Sequence, residues 1–165
     1  ESLRMPFLVR YPAAVEAGQV NDDIITNVDF APTILDLAGL NSPAEVQGKS
    51  FKANLMGDTP EDWTEAMYYH YYEYPFWHHV QPHYGVRTDR YKLIHFYYDI
   101  DVWELYDLEK DPDELNNIAN DPAYADVLAD MKEKLKEKQA EFGDDGSLEE
   151  FRKITDTDFG RISGN

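Results

Sequence analysis

The chain contains no cysteine, so it can form no disulfide bond, no thiolate nucleophile and no cysteine-ligated metal site. Long apolar runs are missing as well, since no stretch approaches the roughly 18 consecutive apolar residues of a membrane-spanning helix. The first residues, ESLRMPFLVRYP, lack an initiator methionine and show no targeting signal. Because a domain rarely begins so abruptly, we expect the chain to be a piece of a longer protein.

Positive charge is scarce in this sequence of 165 residues. Fifteen Lys and Arg stand against 33 Asp and Glu, which gives a formal net charge of −18. Such a field repels phosphate backbones and anionic lipid surfaces, so nucleic acid and membranes are excluded as partners. An anionic small substrate would need a local pocket of positive charge. The apolar share of 42% is typical of a globular domain, and the aromatic residues include twelve tyrosines.

The first third of the chain combines one short apolar run with one helical pattern. The MPFLV run predicts a buried strand over residues 5–10, which Pro12 ends. The segment TNVDFAPTILDLAGL predicts a helix that Asn27 or Asp29 caps and that Gly39 ends. Its predicted apolar stripe consists of Phe30, Ile34, Leu37 and Ala38.

The remaining sequence predicts an α+β fold. Residues 41–64 are rich in Pro, Gly and polar residues, which predicts a loop, one helical turn at 50–56 and the internal boundary. Four β-prone segments then predict an antiparallel sheet, at residues 65–74, 84–88, 91–97 and 102–108. Asp121 and Pro122 begin a long C-terminal helix that is expected to pack against this sheet.

All five histidines lie between positions 70 and 95. His78, His79 and His83 occur around a connection that two prolines stiffen, and loops at a sheet edge often carry function. An imidazole there can hydrogen-bond a sugar hydroxyl or, when protonated, an anion. A surface or packing role is the alternative. His70 and His95 fall within predicted strands, which favours a structural role.

Glu73 and Arg87 flank the same connection in sequence. Arginine suits a sulfate, phosphate or carboxylate because its guanidinium donates hydrogen bonds in pairs, and a salt bridge between strands is the alternative. The histidines lack the helical spacing of a zinc site, and the Asp-rich stretches lack the glycine of an EF-hand, so no metal site is expected. No activated nucleophile is recognisable, since neither a glycine-rich phosphate loop nor a GxSxG elbow occurs.

Four motifs occur in the order ESLRMPFLVRYP, TNVDFAPTILDLAGL followed by QGKS, YGVRTDRYKLI, and WELYDLEKDPDELNN. Together they resemble the C-terminal third of the formylglycine-dependent sulfatases, which share the alkaline-phosphatase superfamily fold. The stretch YYHYYEYPFWHHVQPHYGVRT is most similar to bacterial sulfatases of host glycans, in particular those that resemble N-acetylglucosamine-6-sulfatase.

The resemblance implies that residues 1–57 are the last strand and helix of an α/β catalytic domain. Residues 65–142 would be the C-terminal sulfatase subdomain, and residues 143–165 a loosely ordered tail. Calcium and a formylglycine, made from Cys or Ser in a C/S-x-P-x-R motif, would belong to the missing N-terminal catalytic domain. This chain alone would therefore carry no cofactor and be inactive. The parent enzyme, periplasmic or secreted, would hydrolyse sulfate esters of a glycosaminoglycan-type carbohydrate.

In this family the C-terminal subdomain lies beside the active-site cleft and helps to select the substrate. By that resemblance the substrate-binding candidates are His78, His83, His79, Arg87 and Glu73. Glu1 and Arg4 match an E-S-x-R-x-P stretch of the family and would form a structural ion pair. Two other hypotheses remain: a related phosphodiesterase or phosphonate monoester hydrolase, and a stand-alone interaction module.

Overall fold

A computed structural model describes residues 3–74, 79–149 and 151–153 of the chain. The chain divides into two compact units, Glu1–Thr64 and Glu65–Asn165. The division coincides with the end of the polar stretch from which the sequence predicts an internal boundary. Glu1, and with it the predicted ion pair to Arg4, lies outside the described residues.

The described part of the first unit contains two short helices and one 3-10 turn. Its elements are a 3-10 turn at Asn27–Asp29, helix α1 at Phe30–Leu37 and helix α2 at Lys52–Leu55. Asp29 is the N-cap residue of α1, one of the two predicted positions. Thr26 is the N-cap of the preceding 3-10 turn, where the Asp29 carboxylate accepts the Thr26 backbone N–H at 2.7 Å and the Thr26 hydroxyl at 2.8 Å. Gly39 ends the helix as predicted, with a φ of 74° that favours glycine.

Asp29 also connects α1 to the segment that leads into α2. Its second carboxylate oxygen accepts the Lys49 backbone N–H at 2.9 Å. The Thr33 hydroxyl accepts the backbone N–H of Phe51, whose side chain is only 2% exposed. Gly48 permits this approach, since a Cβ there would overlap the backbone of the 3-10 turn.

Two predictions for the first unit were wrong for the described residues. Residues 5–10 form no strand, and Met5 and Leu8 are 70% and 95% exposed rather than buried. A strand needs a neighbour for its backbone hydrogen bonds, and the described part of this unit contains no other strand. Ile34, which the helical stripe placed inside, is 64% exposed, whereas Thr33 is buried.

The second unit contains the predicted four-stranded antiparallel meander, in the order β1-β2-β3-β4. The strands are β1 at Met67–Tyr71, β2 at His83–Arg87, β3 at Tyr91–Phe96 and β4 at Val102–Asp107. A hairpin turn at Asp89 and Arg90 joins β2 to β3. The Arg90 guanidinium donates to both oxygens of Asp107 at 3.1 and 3.0 Å, which lowers the pKa of that carboxyl and ties the hairpin to β4.

Helix α3, Ala125–Phe142, packs against β1, β2 and β3. The predicted N-cap is confirmed: the Asp121 carboxylate accepts the Ala123 backbone N–H at 2.9 Å in the 3-10 turn Pro122–Tyr124 that leads into α3. Gly143 ends the helix with a φ of 68°. The core between sheet and helix consists of Ala66, Val86, Leu93, Leu105, Met131 and Leu135.

Strand alternation gives the sheet two chemically different faces. We call the face that packs on α3 the helix face; it carries Tyr68, His70, Tyr84, Val86, Leu93, His95, Trp103 and Leu105. The opposite face, here the outer face, carries Tyr69, Tyr71, His83, Arg87, Ile94 and Phe96. The alternation in β3 is the one that the sequence predicts.

The segment after α3 returns to the sheet instead of leaving it. The Asp144 carboxylate accepts hydrogen bonds from Tyr68 and His70, and Phe151 is 2% exposed. Residues 143–149 and 151–153 are therefore not a loosely ordered tail, because specific side-chain contacts hold them on the sheet. Residues 154–165 lie outside the described part of the chain.

Candidate functional site

The predicted substrate-binding residues surround the connection between β1 and β2, residues 72–82. His78 lies outside the described residues. His79 is exposed and has a φ of 51°, a left-handed conformation that is uncommon for a residue other than glycine. Its imidazole is therefore presented to solvent by a constrained backbone.

His83, the first residue of β2, is held in an aromatic cluster on the outer face. Its ring stacks on Tyr71 with centroids 5.1 Å apart, and it also packs against Tyr69 at 5.6 Å and Phe96 at 4.9 Å. Its Nδ1 lies 2.8 Å from the Gln81 carbonyl oxygen. Because a carbonyl can only accept, Nδ1 carries the proton.

The protonation state of His83 limits what it can bind. Burial lowers the pKa of His83, so the ring is neutral near neutral pH. With its proton on Nδ1, the ring has a lone pair on Nε2, for which no partner is found among the described residues. A neutral imidazole accepts from a hydroxyl and attracts no anion. Of the two ligands considered for these histidines from the sequence, a sugar hydroxyl and an anion, the geometry of His83 therefore favours the hydroxyl.

Glu73 lies close to this cluster and Arg87 does not. Burial raises the pKa of Tyr71, the stacking partner of His83, and the nearby Glu73 carboxylate raises it further. The strand register pairs His83 with Tyr71 but Arg87 with Met67, at the other end of both strands. Four residues of strand separate Arg87 from His83 by about 13 Å. The structure therefore brings together Glu73, Tyr71 and His83 and leaves Arg87 apart.

The turn between β3 and β4 holds both sides of the β1–β2 connection. The Asp99 carboxylate accepts from the Tyr74 hydroxyl and from the Gln81 side-chain amide, each at 3.3 Å. The Tyr97 backbone N–H donates to the carbonyl of Pro82 at 3.4 Å. The position of the described part of the connection therefore depends on this turn.

A polar network on the helix face was not anticipated from the sequence. His70 Nδ1 lies 2.6 Å from Asp144 Oδ2, and His70 Nε2 lies 2.6 Å from the Tyr97 hydroxyl oxygen. The Tyr68 hydroxyl donates to the same Asp144 oxygen at 2.5 Å. Since a carboxylate only accepts, His70 donates from Nδ1 and accepts the Tyr97 hydroxyl at Nε2. The alternation in YYHYY could have placed Tyr68 and His70 on one face, but it contains no sign of Asp144.

Burial and hydrogen bonding determine the protonation states of Asp144 and His70. Burial alone would raise the pKa of Asp144, yet the hydrogen bonds donated by Tyr68, His70 and the Gly146 backbone outweigh it and lower the pKa. Burial lowers the pKa of His70 by more than the adjacent carboxylate raises it. The pair is therefore a carboxylate beside a neutral imidazole near neutral pH, with matched donors and acceptors.

His95 has a similar set of partners on the same face. Its Nδ1 lies 2.8 Å from the Tyr84 hydroxyl oxygen and its Nε2 lies 2.8 Å from Asp101 Oδ1. Its ring stacks on Trp103 at 3.9 Å, and the Lys132 ammonium lies 4.0 Å from the centre of the Trp103 ring. Both ring nitrogens of His95 thus have partners within the protein, in keeping with a structural role.

Acidification is expected to destabilise the second unit. His70 and His83 have pKa values below the ordinary 6.5, so the unfolded chain binds more protons than the folded one below that pH. The free energy of unfolding should then fall from about pH 7 to about pH 5, by at most about 1.4 kcal/mol per pH unit for each histidine. Denaturant titrations at several pH values measure this slope, and His83→Phe should reduce it. Stability that is flat or rises on acidification would contradict these assignments.

Tyr68, which donates to Asp144, is held in its neutral form. Burial raises the pKa of Tyr68 well above its ordinary value, and the adjacent Asp144 carboxylate raises it further, so the hydroxyl remains protonated near neutral pH. No group of three or more His, Cys, Asp or Glu in the described ranges has the geometry to hold a metal ion. None of the helices described is both long and apolar enough to cross a bilayer.

Comparisons with known proteins cover most of the chain. A family model described as N-sulphoglucosamine sulphohydrolase, C-terminal, matches residues 1–141. An N-acetylglucosamine-6-O-sulfatase of Bacteroides thetaiotaomicron is 51% identical over 146 residues, which are 87% of this chain and 26% of that relative. The chain thus spans about a quarter of the length of this relative.

Solved structures share the fold. A protein in complex with its substrate D-glucosamine-2-N,6-O-disulfate superposes with a TM-score of 0.83 at 50% identity, over 86% of this chain and 29% of that one. A phosphonate monoester hydrolase of Agrobacterium radiobacter has a TM-score of 0.57 at 30% identity, over 68% of this chain and 24% of that one. Similarity to the first structure is therefore higher in both sequence and shape.

Proposed function

The chain belongs to the N-sulphoglucosamine sulphohydrolase C-terminal family, and on this premise we propose that it is the substrate-selecting part of a carbohydrate sulfatase. The α+β subdomain predicted from the sequence, a four-stranded sheet packed on a long helix, is confirmed. The whole enzyme would hydrolyse a sulfate ester of a glycosaminoglycan-type sugar. The identity to an N-acetylglucosamine-6-O-sulfatase makes 6-O-sulfated N-acetylglucosamine the first substrate to test.

The observation that supports a recognition role is the state of His83. A neutral imidazole at the end of the β1–β2 connection, with Nε2 available and aromatic rings around it, suits a hydroxyl donor with an apolar neighbour. A sugar ring has this character, since its hydroxyls alternate with C–H faces. Glu73, beside Tyr71, would accept a second hydroxyl, and His78 and His79 would complete the contacts.

We assign the reaction itself to a catalytic domain outside this chain. That domain would supply calcium and a formylglycine, and the first unit would form its end. The exposed apolar side chains of Met5, Leu8, Val20 and Ile34 support this, because a larger domain would cover them. In this proposal the whole protein acts in the periplasm or outside the cell, where sulfated glycans are met.

Sulfate release by the whole protein, compared with release by residues 1–165 alone, tests the proposed function. We expect the whole protein to liberate sulfate from 6-O-sulfated N-acetylglucosamine, to lose activity with a calcium chelator, and to recover when calcium returns. The chain alone should release none. Hydrolysis of a phosphonate monoester or a phosphodiester without sulfate release would favour the related hydrolases. Tight glycan binding by the chain, with no hydrolysis by the whole protein, would favour an interaction module.

Replacing His83 by Phe tests its contact with the sugar. The change keeps the ring that stacks on Tyr71 but removes the Nε2 acceptor, so KM for the sulfated sugar should rise about tenfold, the usual effect of one lost hydrogen bond. Tyr124→Phe is the control: it removes one hydroxyl that contacts Lys110 and no described residue of the β1–β2 connection, so it should leave KM unaltered. His78→Ala and His79→Ala extend the test. An unchanged KM in both the His78 and His83 variants would remove the assignment.

A further inference from the structure

Residues 143–149 and 151–153, which we name the return segment, run from the end of α3 back onto the helix face. Asp144 is its first anchor. One carboxylate oxygen accepts from Tyr68 and His70 within β1 and from the Tyr72 hydroxyl at 3.3 Å, directly after β1. The segment lies beyond residue 141, where the match to the family model ends.

Phe151 is the second anchor of the return segment. Its side chain is 2% exposed, and its ring lies parallel to Tyr72 with centroids 6.3 Å apart. Its edge contacts with Tyr97 and Tyr98 have centroid distances of 6.2 and 5.4 Å. Tyr72 opens the β1–β2 connection, and the other two tyrosines open the β3–β4 turn. Phe151 thus packs where both loops leave the sheet.

Hydrogen bonds extend from these anchors to the far side of the β1–β2 connection. His70 links Asp144 to the Tyr97 hydroxyl, and the Tyr97 backbone N–H donates to the Pro82 carbonyl. Asp99 in the same turn accepts from side chains on both sides of the connection. The return segment therefore contacts the start of the β1–β2 connection directly, at Tyr72, and is linked to its end through the β3–β4 turn.

We propose that the return segment holds the described parts of the β1–β2 connection, residues 72–74 and 79–82, in the arrangement that binds substrate, with Asp144 as the positioning residue. This inference rests on the proposed function for the nature of the substrate, a sulfated sugar. Asp144 touches no sugar; it acts through His70 and Tyr72. When the carboxylate becomes an amide, the charge and one of the two acceptor oxygens are lost, so these side chains and the Gly146 N–H compete for a single acceptor. The connection then adopts more arrangements, and sugar binding weakens. The chemical step, performed by groups elsewhere, is unaffected.

Amide hydrogen exchange in the whole native protein tests the positioning directly. Asp144→Asn keeps the shape of the side chain but removes its charge, and we expect exchange at residues 71–74 and 79–83 to quicken about tenfold. Asp145→Asn makes the same change at the adjacent exposed carboxylate and should leave exchange as in the native protein. Exchange in β3, on the core of the sheet, should stay slow in both variants.

Kinetics distinguish positioning from a loss of folding. For 6-O-sulfated N-acetylglucosamine, Asp144→Asn should raise KM about tenfold and change kcat by less than about twofold. Turnover of a small aryl sulfate, which is too small to need the connection, should be the same as in the native enzyme. Tyr97→Phe, which removes one hydroxyl and little packing, should raise KM in the same direction by a smaller factor.

Three outcomes would decide against the inference: exchange at the connection that does not respond to Asp144→Asn, an equal response to Asp145→Asn, or parallel losses on both substrates. If the native protein releases sulfate from neither substrate, the proposed function fails, and the exchange measurement still decides whether the return segment positions the connection.

Discussion

Gly48→Ala is expected to destabilise the first unit by about 3 kcal/mol, near the upper end of the cost of overpacking. A Cβ at this position would overlap the carbonyl group of Val28 and approach the Asp29 backbone nitrogen at 2.8 Å. These are backbone atoms of a hydrogen-bonded turn, so they cannot rotate aside as a side chain can. Relief of the overlap would move Lys49 away from the Asp29 carboxylate, which is 7% exposed and would lose an acceptor bond.

The first unit has little apolar packing with which to absorb such a change. Phe51 is its most buried large apolar side chain among the described residues, and it is placed by the segment that Gly48 begins. Hydrogen exchange over residues 27–54 would measure the effect as faster opening of this unit. Lys49→Ala, which removes an exposed side chain and keeps the backbone amide, should cost less than about 0.5 kcal/mol. Equal behaviour of the two variants would show that the close approach of the backbone is unimportant.

The elements that the sequence predicts well are those with local signals. The four strands are rich in tyrosine and other β-prone residues, and α3 follows Asp121 and Pro122 and ends before Gly143. In each case neighbouring residues decide the conformation. Residues 5–10 show the limit of this reasoning, because an apolar run becomes a strand only beside a partner strand, and the described part of the first unit contains none.

The sequence predicts where a candidate site lies, but not the geometry of that place. Prolines and histidines indicate a functional connection before β2, and alternation could have placed His83 and Arg87 on one face. Their separation along the strand, and the neutral state of His83, follow from register and burial, which residue types do not specify. The network of His70 and Asp144 joins residues that are 74 positions apart, which no local pattern reveals. From the sequence alone, an Asp in a Gly-rich stretch after a helix is expected to belong to a loosely ordered tail.

Leu105→Ala is expected to lower the free energy of unfolding of the second unit by about 3 to 4 kcal/mol. Leu105 is fully buried between the sheet and α3, together with Met131 and Leu135. Two hydrogen bonds to one neighbouring segment fix its backbone, since its N–H donates to the Asn117 side chain at 3.0 Å and its carbonyl accepts the Ile118 N–H at 2.9 Å. The strand therefore cannot shift to fill the space, and most of the cavity would remain.

Denaturant titration followed by tryptophan fluorescence would measure this loss, because Trp103 lies two residues away in the same strand and on the same face. Leu115→Ala is the matched control: the same atoms are removed from a side chain that is 78% exposed, and the change should cost less than about 0.5 kcal/mol. The difference between the two variants isolates burial from the intrinsic effect of losing a leucine. A cost below about 1 kcal/mol for Leu105→Ala would mean that α3 does not pack on this face in solution. Because the return segment follows α3 directly, it would then not be held against the sheet, and Asp144 could not position the β1–β2 connection.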